Sequence, residues 1–203
     1  MRTYKFFEFI QRMGQIFRWS LMRNTKPEDL KQHSYDVAVI AHGLATIAAI
    51  NHNSTLDPDK AATYALFHDT AEVFTGDIPT PIKHFGGGVM KEFTDRLERM
   101  AIDKMVSSLP APLQSSYQRV FEIPESYKGI IKAADRIAAL KKCREEIAAG
   151  NPEFVPAAAR LEESLNECPL PEVAFFMQHF MPSRPMALDE LIEGNGAWLL
   201  EVE

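Results

Sequence analysis

The stretch Phe67-His68-Asp69-Thr70-Ala71-Glu72-Val73-Phe74-Thr75-Gly76-Asp77-Ile78-Pro79 holds an imidazole and three carboxylates in thirteen residues. It ends a run that begins with Asp57-Pro58-Asp59, an N-cap followed by proline at the first helical position. A helix is therefore predicted from about 58 to 74, stopped by Gly76 and by the prolines at 79 and 81. Inside it, His68 and Asp69 follow the apolar Tyr64-Ala65-Leu66-Phe67. A carboxylate there is expensive unless it is paired or bound to a cation.

Outward from this block, helix signals recur and strand signals are scarce. Residues 4–17 place Phe6, Phe9, Ile10, Met13 and Phe17 on one stripe, with Gly14 as a weak point. After a loop with Asn24, Pro27 and Asp29, residues 31–51 read as a helix starting near His33, with Val37, Ile40, Ala41, Leu44 and Ala48 on a broad apolar face and Ile47 at its margin. A short turn at 79–84 precedes the glycines at 86–88. The segment 89–108 is the cleanest amphipathic pattern: Val89, Phe93, Leu97, Met100, Ala101 and Met105 share a face. Proline and glycine punctuation sets off 112–122, 126–149, 151–167 and 171–181, and Ile130, Ile131, Ala134, Ile137, Ala138, Cys143 and Ile147 form the apolar side of 126–149. A short helix near 188–193 leads into a tail expected to be peripheral after about 190. With no internal repeat or low-complexity linker, the expectation is an all-α, single-domain helical bundle over 1–203.

The chain has 203 residues, 46% hydrophobic and 25% charged, which suits a globular protein with a sizeable core. Two cysteines, Cys143 and Cys168, are too few for a disulfide framework or a thiolate zinc site, and fit a reducing cytoplasm. Glu8, Gln11 and Arg12 interrupt any signal-peptide core, and no unbroken apolar run approaches the roughly eighteen residues of a bilayer span, so no membrane partner is expected. A net charge of −6 disfavours duplex nucleic acid. It leaves room for a small phosphate ligand held by one or two arginines.

Two further residues extend the His68-Asp69 pair. His33 opens one predicted helix, and Asp135 lies midway through another. If the three helices pack side by side, two imidazoles and two carboxylates meet, a donor set suited to a divalent cation completed by water. Each residue alone has a plainer reading. His33 fits a solvated or locally bonded helix start, Asp135 a surface carboxylate paired with Arg136 or Lys132, and the His68-Asp69 adjacency a chance neighbourhood. Four such elements in order carry more weight than any one.

The order His33, His68-Asp69, Asp135 resembles the H…HD…D signature of the HD-domain metal-dependent phosphohydrolases, whose core is a helical bundle. A longer similarity is to their YfbR-like 5'-deoxynucleotidase branch. It is carried by Arg18-Trp19-Ser20-Leu21-Met22-Arg23-Asn24, by Gln32-His33-Ser34, by residues 67–83 and by Lys132-Ala133-Ala134-Asp135. Gln32 departs from the glutamate common in that branch, which touches a supporting contact rather than the ligand set. The resemblance implies one divalent metal cation held by His33, His68, Asp69 and Asp135, with cobalt, manganese, magnesium, zinc and copper not distinguished by a mixed nitrogen and oxygen shell. It also implies hydrolysis of a deoxyribonucleoside 5'-monophosphate by metal-activated water, in a homodimer.

The role of Glu72 is argued from its spacing, and those of Arg18, Trp19 and Asp77 follow from the resemblance. Glu72, three positions after Asp69 and four after His68, falls on the same face of the predicted helix and suits general acid–base work; its plainer reading is a surface carboxylate near a basic side chain. Arg18 would hold phosphate and Trp19 would shape the nucleoside side, against the alternative of a core tryptophan with a snorkelling arginine. Asp77 would contact the sugar hydroxyl and favour deoxyribose, or it is only the N-cap of the turn at Ile78-Pro79. Lys83 and His84 lie near this loop without an assigned role, and His42, His52 and His179 lack comparable context. The face of 171–181 bearing Phe175, Phe176 and Phe180 suits a second copy as well as the chain's own core. Two other readings stand: an HD-type hydrolase of a triphosphate or cyclic nucleotide, and a non-catalytic nucleotide-sensing domain, against which the retention of Glu72 argues.

Overall fold

A computed structural model describes residues 3–83 and 88–193. Among them the regular structure is helical: α1 (Phe6–Arg12), α2 (Leu30–His52), α3 (Pro58–Phe67), α4 (Glu72–Thr75), α5 (Thr80–Lys83), α6 (Val89–Ser107), α7 (Ala111–Phe121), α8 (Glu125–Ala148), α9 (Val155–Asn166), α10 (Pro171–Phe180) and α11 (Leu188–Glu193). Short 3-10 turns at Met13–Gln15 and Pro152–Phe154 continue α1 and introduce α9. An isolated bridge, Phe17 with Asp29, is the extended pairing among the described residues.

The centre is α2, which packs along α3, α8 and α10, while α8 also carries α9. It begins earlier than the sequence pattern placed it. Asp29 is its N-cap, accepting from the backbone of Lys31 and Gln32, and the Gln32 side chain returns a bond to the Asp29 N–H. This capping box satisfies orphan donors at the entrance and brings His33 inside the first turn. Of the predicted apolar face, Val37, Ile40, Ala41, Leu44 and Ala48 are buried in one cluster with Ile130, Ile131, Ala134, Ile137, Ala138 and Cys143 of α8, while Ile47 is half-buried. By length and composition α2 could cross a membrane, with a mean hydropathy of 1.2 over its most apolar window. Its buried residues from Val37 to Ala48 belong to the main core cluster. A smaller cluster forms around Phe6, Met105 and Leu109, joined by Phe9, Ile10, Val73, Tyr117 and Phe121.

Two expectations need correction. The helical stripe over 4–17 ends with the 3-10 turn at Gln15, and Phe17 lies beyond it, exposed. The helix predicted over 58–74 is not continuous: α3 stops at Phe67, and α4 restarts at Glu72. Between them the backbone bonds reach the third residue before, from His68 N–H to Ala65, Thr70 N–H to Phe67 and Glu72 N–H to Asp69. The amphipathic face of α6 is only partly covered, because Ala101 and Met105 are buried while Val89, Phe93 and Met100 are exposed. On α10, Phe176 packs on the core, whereas Phe175 and Phe180 face outward. His84, two of the predicted glycines and the tail after 193 lie outside the described residues.

Ile137 has no exposed surface and sits between α8 and the central core. Ile137→Ala is expected to lower the unfolding free energy by about 2–5 kcal/mol through lost burial and a residual cavity. Denaturant unfolding of the two proteins measures this directly.

Candidate active site

Three backbone elements deliver the predicted ligands. The first turn of α2 supplies His33, the tight turn between α3 and α4 supplies His68 and Asp69, and the middle of α8 supplies Asp135. One donor atom each from His33, His68 and Asp135 lie within 4.8 Å of one another. Asp69 joins them: its Oδ2 is 3.2 Å from His68 Nε2 and 3.6 Å from His33 Nε2, while Asp135 Oδ1 is 3.0 Å from His33 Nε2. The two imidazole rings are 5.4 Å apart.

This group has the chemistry of a cation site rather than of a closed ion-pair network. His68 Nδ1 is 2.6 Å from the Ala65 carbonyl, so that nitrogen carries the hydrogen and leaves Nε2 as the ligating lone pair. Both Nε2 atoms are buried, and neither makes a hydrogen bond despite the nearby carboxylates. Burial disfavours a charged His68, yet Asp69, Asp135 and the Ala65 carbonyl together outweigh it and push the pKa up to about 9. Burial likewise opposes an ionised Asp69, but His68 and then Arg18 hold it well below the carboxylate range. Asp135 is lowered too, against burial, by His33 and His68. The potential here is negative and favours positive charge, which two imidazoles and two carboxylates can share with a divalent ion.

Glu72 faces the same space by a different route from the one expected. It begins α4 rather than continuing α3, and it is 5% exposed. Its Oε1 is 3.4 Å from Lys83 Nζ, while its Oε2 is buried with no hydrogen-bond partner. Burial first, and then Asp69, raise the Glu72 carboxyl to about 8, with Lys83 pulling the other way. Lys83, which the sequence left without a role, is thus its direct neighbour. A basic residue one short helix beyond the carboxylate was a visible signal, but its distance was not.

Arg18 and Trp19 lie on the loop before α2. Arg18 Nη1 is 3.0 Å from Asp69 Oδ2, its Nη2 is 3.9 Å from Asp135 Oδ1, and its Nε is 3.3 Å from Glu28 Oε2. This is an inward-facing guanidinium, not a snorkelling one. Trp19 adopts a left-handed backbone, φ 60°. Its N–H donates to Asp77 Oδ2 at 3.2 Å and its indole Nε1–H to Glu28 Oε2 at 3.2 Å. Asp77 follows Gly76, whose φ of 72° turns the chain after α4 toward Trp19. The buried Glu28 touches both Arg18 and Trp19, and nothing in Pro27-Glu28-Asp29, which reads as an ordinary polar loop, signals it.

The helical layout and this cluster define the class: an HD-type phosphohydrolase fold. A Listeria innocua HD-domain phosphohydrolase superposes with a TM-score of 0.76 at 22% identity, covering 88% of this chain and 87% of that one. A cyanophage S-2L HD phosphohydrolase, solved with dA and one catalytic Zn2+ ion, shares the fold with a TM-score of 0.59 at 19% identity, covering 88% of this chain and 96% of that one. In sequence, a 5'-deoxynucleotidase of Vibrio parahaemolyticus is 40% identical over 194 residues, covering 94% of this chain and all of the relative. Residues 5–184 match the YfbR-like 5'-deoxynucleotidase family, and the chain belongs to it.

If the cluster holds a cation, a divalent ion at about a hundredfold excess over its Kd should add about 2.7 kcal/mol to folding stability. Melting curves with added metal and with chelator test this. In Asp135→Ala the two curves should coincide.

Proposed function

We propose that the chain hydrolyses deoxyribonucleoside 5'-monophosphates to deoxyribonucleosides and phosphate. The observation that carries this reading is the convergence of His33, His68, Asp69 and Asp135, with two bare imidazole nitrogens, beside the unpartnered oxygen of Glu72. Its setting is a family of 5'-deoxynucleotidases. The four ligands would hold one divalent cation, which when bound supplies a water acidic enough to attack phosphorus and polarises a phosphoryl oxygen. The donor set does not select among cobalt, manganese, magnesium, zinc and copper.

The chain's own groups account for the rest. Arg18 places guanidinium N–H donors toward Asp69 and Asp135, where a phosphoryl oxygen of the substrate would lie; such donors oppose the charge that develops in displacement. Glu72 Oε2, with no other bond to make, moves a proton between the attacking water and the leaving 5' oxygen, while Lys83 steadies Oε1. Trp19 covers the nucleoside side. Asp77, fixed to the Trp19 backbone, contacts the sugar hydroxyl and favours deoxyribose. We further propose a single domain acting in the cytoplasm as a homodimer, without membrane or duplex nucleic acid partners.

Phosphate release from a panel of mono-, di- and triphosphates, with and without divalent cations, tests the reading. Release confined to deoxynucleoside monophosphates and requiring metal is the expected result; turnover of triphosphates alone would overturn it. Glu72→Ala should retain cation and nucleotide binding while kcat falls by about 10²–10⁴, and loss of the cation would show that Glu72 is a ligand instead. In Asp77→Ala, the ratio of deoxyribo to ribo kcat/KM should fall toward unity with cation affinity unchanged. An unaltered ratio would remove Asp77 from sugar selection.

A further inference from the structure

The loop over 17–29 presents Arg18, Trp19 and Glu28, yet its own regular structure is the single Phe17–Asp29 bridge. It also contains the left-handed Trp19, a conformation that side-chain-bearing residues disfavour. Such a loop needs outside support. Near Trp19, Asn24 Nδ2 donates to the Trp19 carbonyl at 3.2 Å and to the Met22 carbonyl at 2.9 Å. The outer end is held from α8.

Glu146 of α8 is 1% exposed and accepts four hydrogen bonds besides its ion pair. Its Oε2 takes the Thr25 N–H at 2.8 Å, the Thr25 hydroxyl at 2.9 Å and Asn151 Nδ2 at 3.0 Å, and its Oε1 takes the Lys26 N–H at 3.2 Å. Oε1 also pairs with the buried Lys142, whose ammonium donates to the Lys26 carbonyl. Asn151 in turn donates to the Arg23 carbonyl at 2.7 Å. These partners either belong to the loop or grip it. A second connection runs through side chains: Lys142 Nζ is 5.8 Å from the centroid of the buried Phe154 ring, which lies 5.2 Å from the Trp19 ring.

A buried Lys–Glu pair is a poor stabiliser in itself, because desolvation offsets much of the Coulomb gain. What this pair does well is fix direction, since its donors and acceptors are committed to one loop geometry. Asp135, Lys142 and Glu146, spaced by seven and then four residues, occupy one face of α8. The helix that supplies a candidate ligand therefore also sets the loop opposite it.

We infer that Lys142 and Glu146 form a positioning clamp that fixes Trp19 relative to Asp135, and thereby sets nucleotide affinity and sugar preference without touching substrate. The inference rests on the deoxynucleotidase reading for its substrate, but not for the loop geometry. The test uses a Trp198→Phe background, which leaves Trp19 as the sole tryptophan of the two. Lys142→Met with Glu146→Gln removes both charges together, so that neither is left buried alone; Thr25→Ala trims one bond from the exposed end and leaves the core untouched.

The double variant is expected to raise KM for a deoxynucleoside monophosphate about tenfold, the equivalent of ~1.4 kcal/mol. The deoxy-to-ribo preference should narrow and acrylamide quenching of Trp19 should increase, while kcat stays within about threefold and cation affinity within about twofold. Thr25→Ala should move KM and quenching the same way by less, and it decides the matter if the double variant fails to fold. Unchanged KM and quenching with a lowered melting temperature would overturn the clamp, as would a parallel loss of cation affinity. Should the parent protein release no phosphate from any deoxynucleotide, the functional reading fails while quenching still decides the clamp.

Discussion

Two carboxylates, Asp69 and the more open Asp135, face two imidazoles, the His33 ring fully buried, and that grouping holds together only if positive charge is shared among them. The surrounding architecture follows from this constraint. The capping box at Asp29 draws His33 into the interior, the alanine-rich contact of α2 with α8 brings Asp135 opposite it, and Arg18 turns inward toward both carboxylates. The raised pKa of His68 has the same origin: a proton on that ring is one way to place positive charge in the cluster. Packing supplies the proximity, and electrostatics then determines which ligand the proximity favours.

The break between α3 and α4 is part of this design. In an uninterrupted α-helix, neighbouring side chains diverge by about 100°. Positions three apart are then offset by about 60°. Bonds to the third preceding residue tighten the path to about three residues per turn, so positions three apart align. Asp69 and Glu72 are three apart. That alignment explains why Asp69 is the chief charge raising the Glu72 carboxyl, and why Glu72 reaches the cluster although it belongs to a different helix from the one the sequence predicted.

Much of this was readable in advance where the physics is local and periodic. The stripes of α2 and α8, the cap at Asp57 and the proline-marked boundaries gave an all-helical bundle, because apolar spacing at 3.6 residues needs no tertiary information. The block around His68-Asp69 pointed to the site because its residue types are costly in an apolar run. Other features depended on three-dimensional context. A lysine and glutamate four apart, as at 142 and 146, ordinarily mark a solvated helix face, and nothing local distinguishes the pair buried here. Glu28 gave no warning, since its partners Arg18 and Trp19 reach it only after the loop folds back. The outward residues of α6 also show the limit of periodicity: a regular stripe identifies an apolar face but does not say whether anything covers it.

Arg18 links the electrostatics of the cluster to the recognition of an anionic substrate. Its guanidinium has Asp69 at 3.0 Å, Glu28 at 3.3 Å and Asp135 at 3.9 Å, so three carboxylates surround one fixed positive charge. In that arrangement it offers little attraction to a phosphate dianion, and the chain as a whole, at −6, offers none. On the proposed reading, Arg18 becomes available to phosphate only when Asp69 and Asp135 have another cation to neutralise. Glu28 would remain behind it as the brace that keeps the guanidinium pointed into the site. Cation and nucleotide affinity are then coupled through two shared carboxylates, and thermodynamic reciprocity requires each ligand to strengthen the other by the same factor. An acidic protein can in this way bind an acidic substrate, with selectivity for the metal-loaded state arising from the ion pairs that occupy Arg18 in its absence.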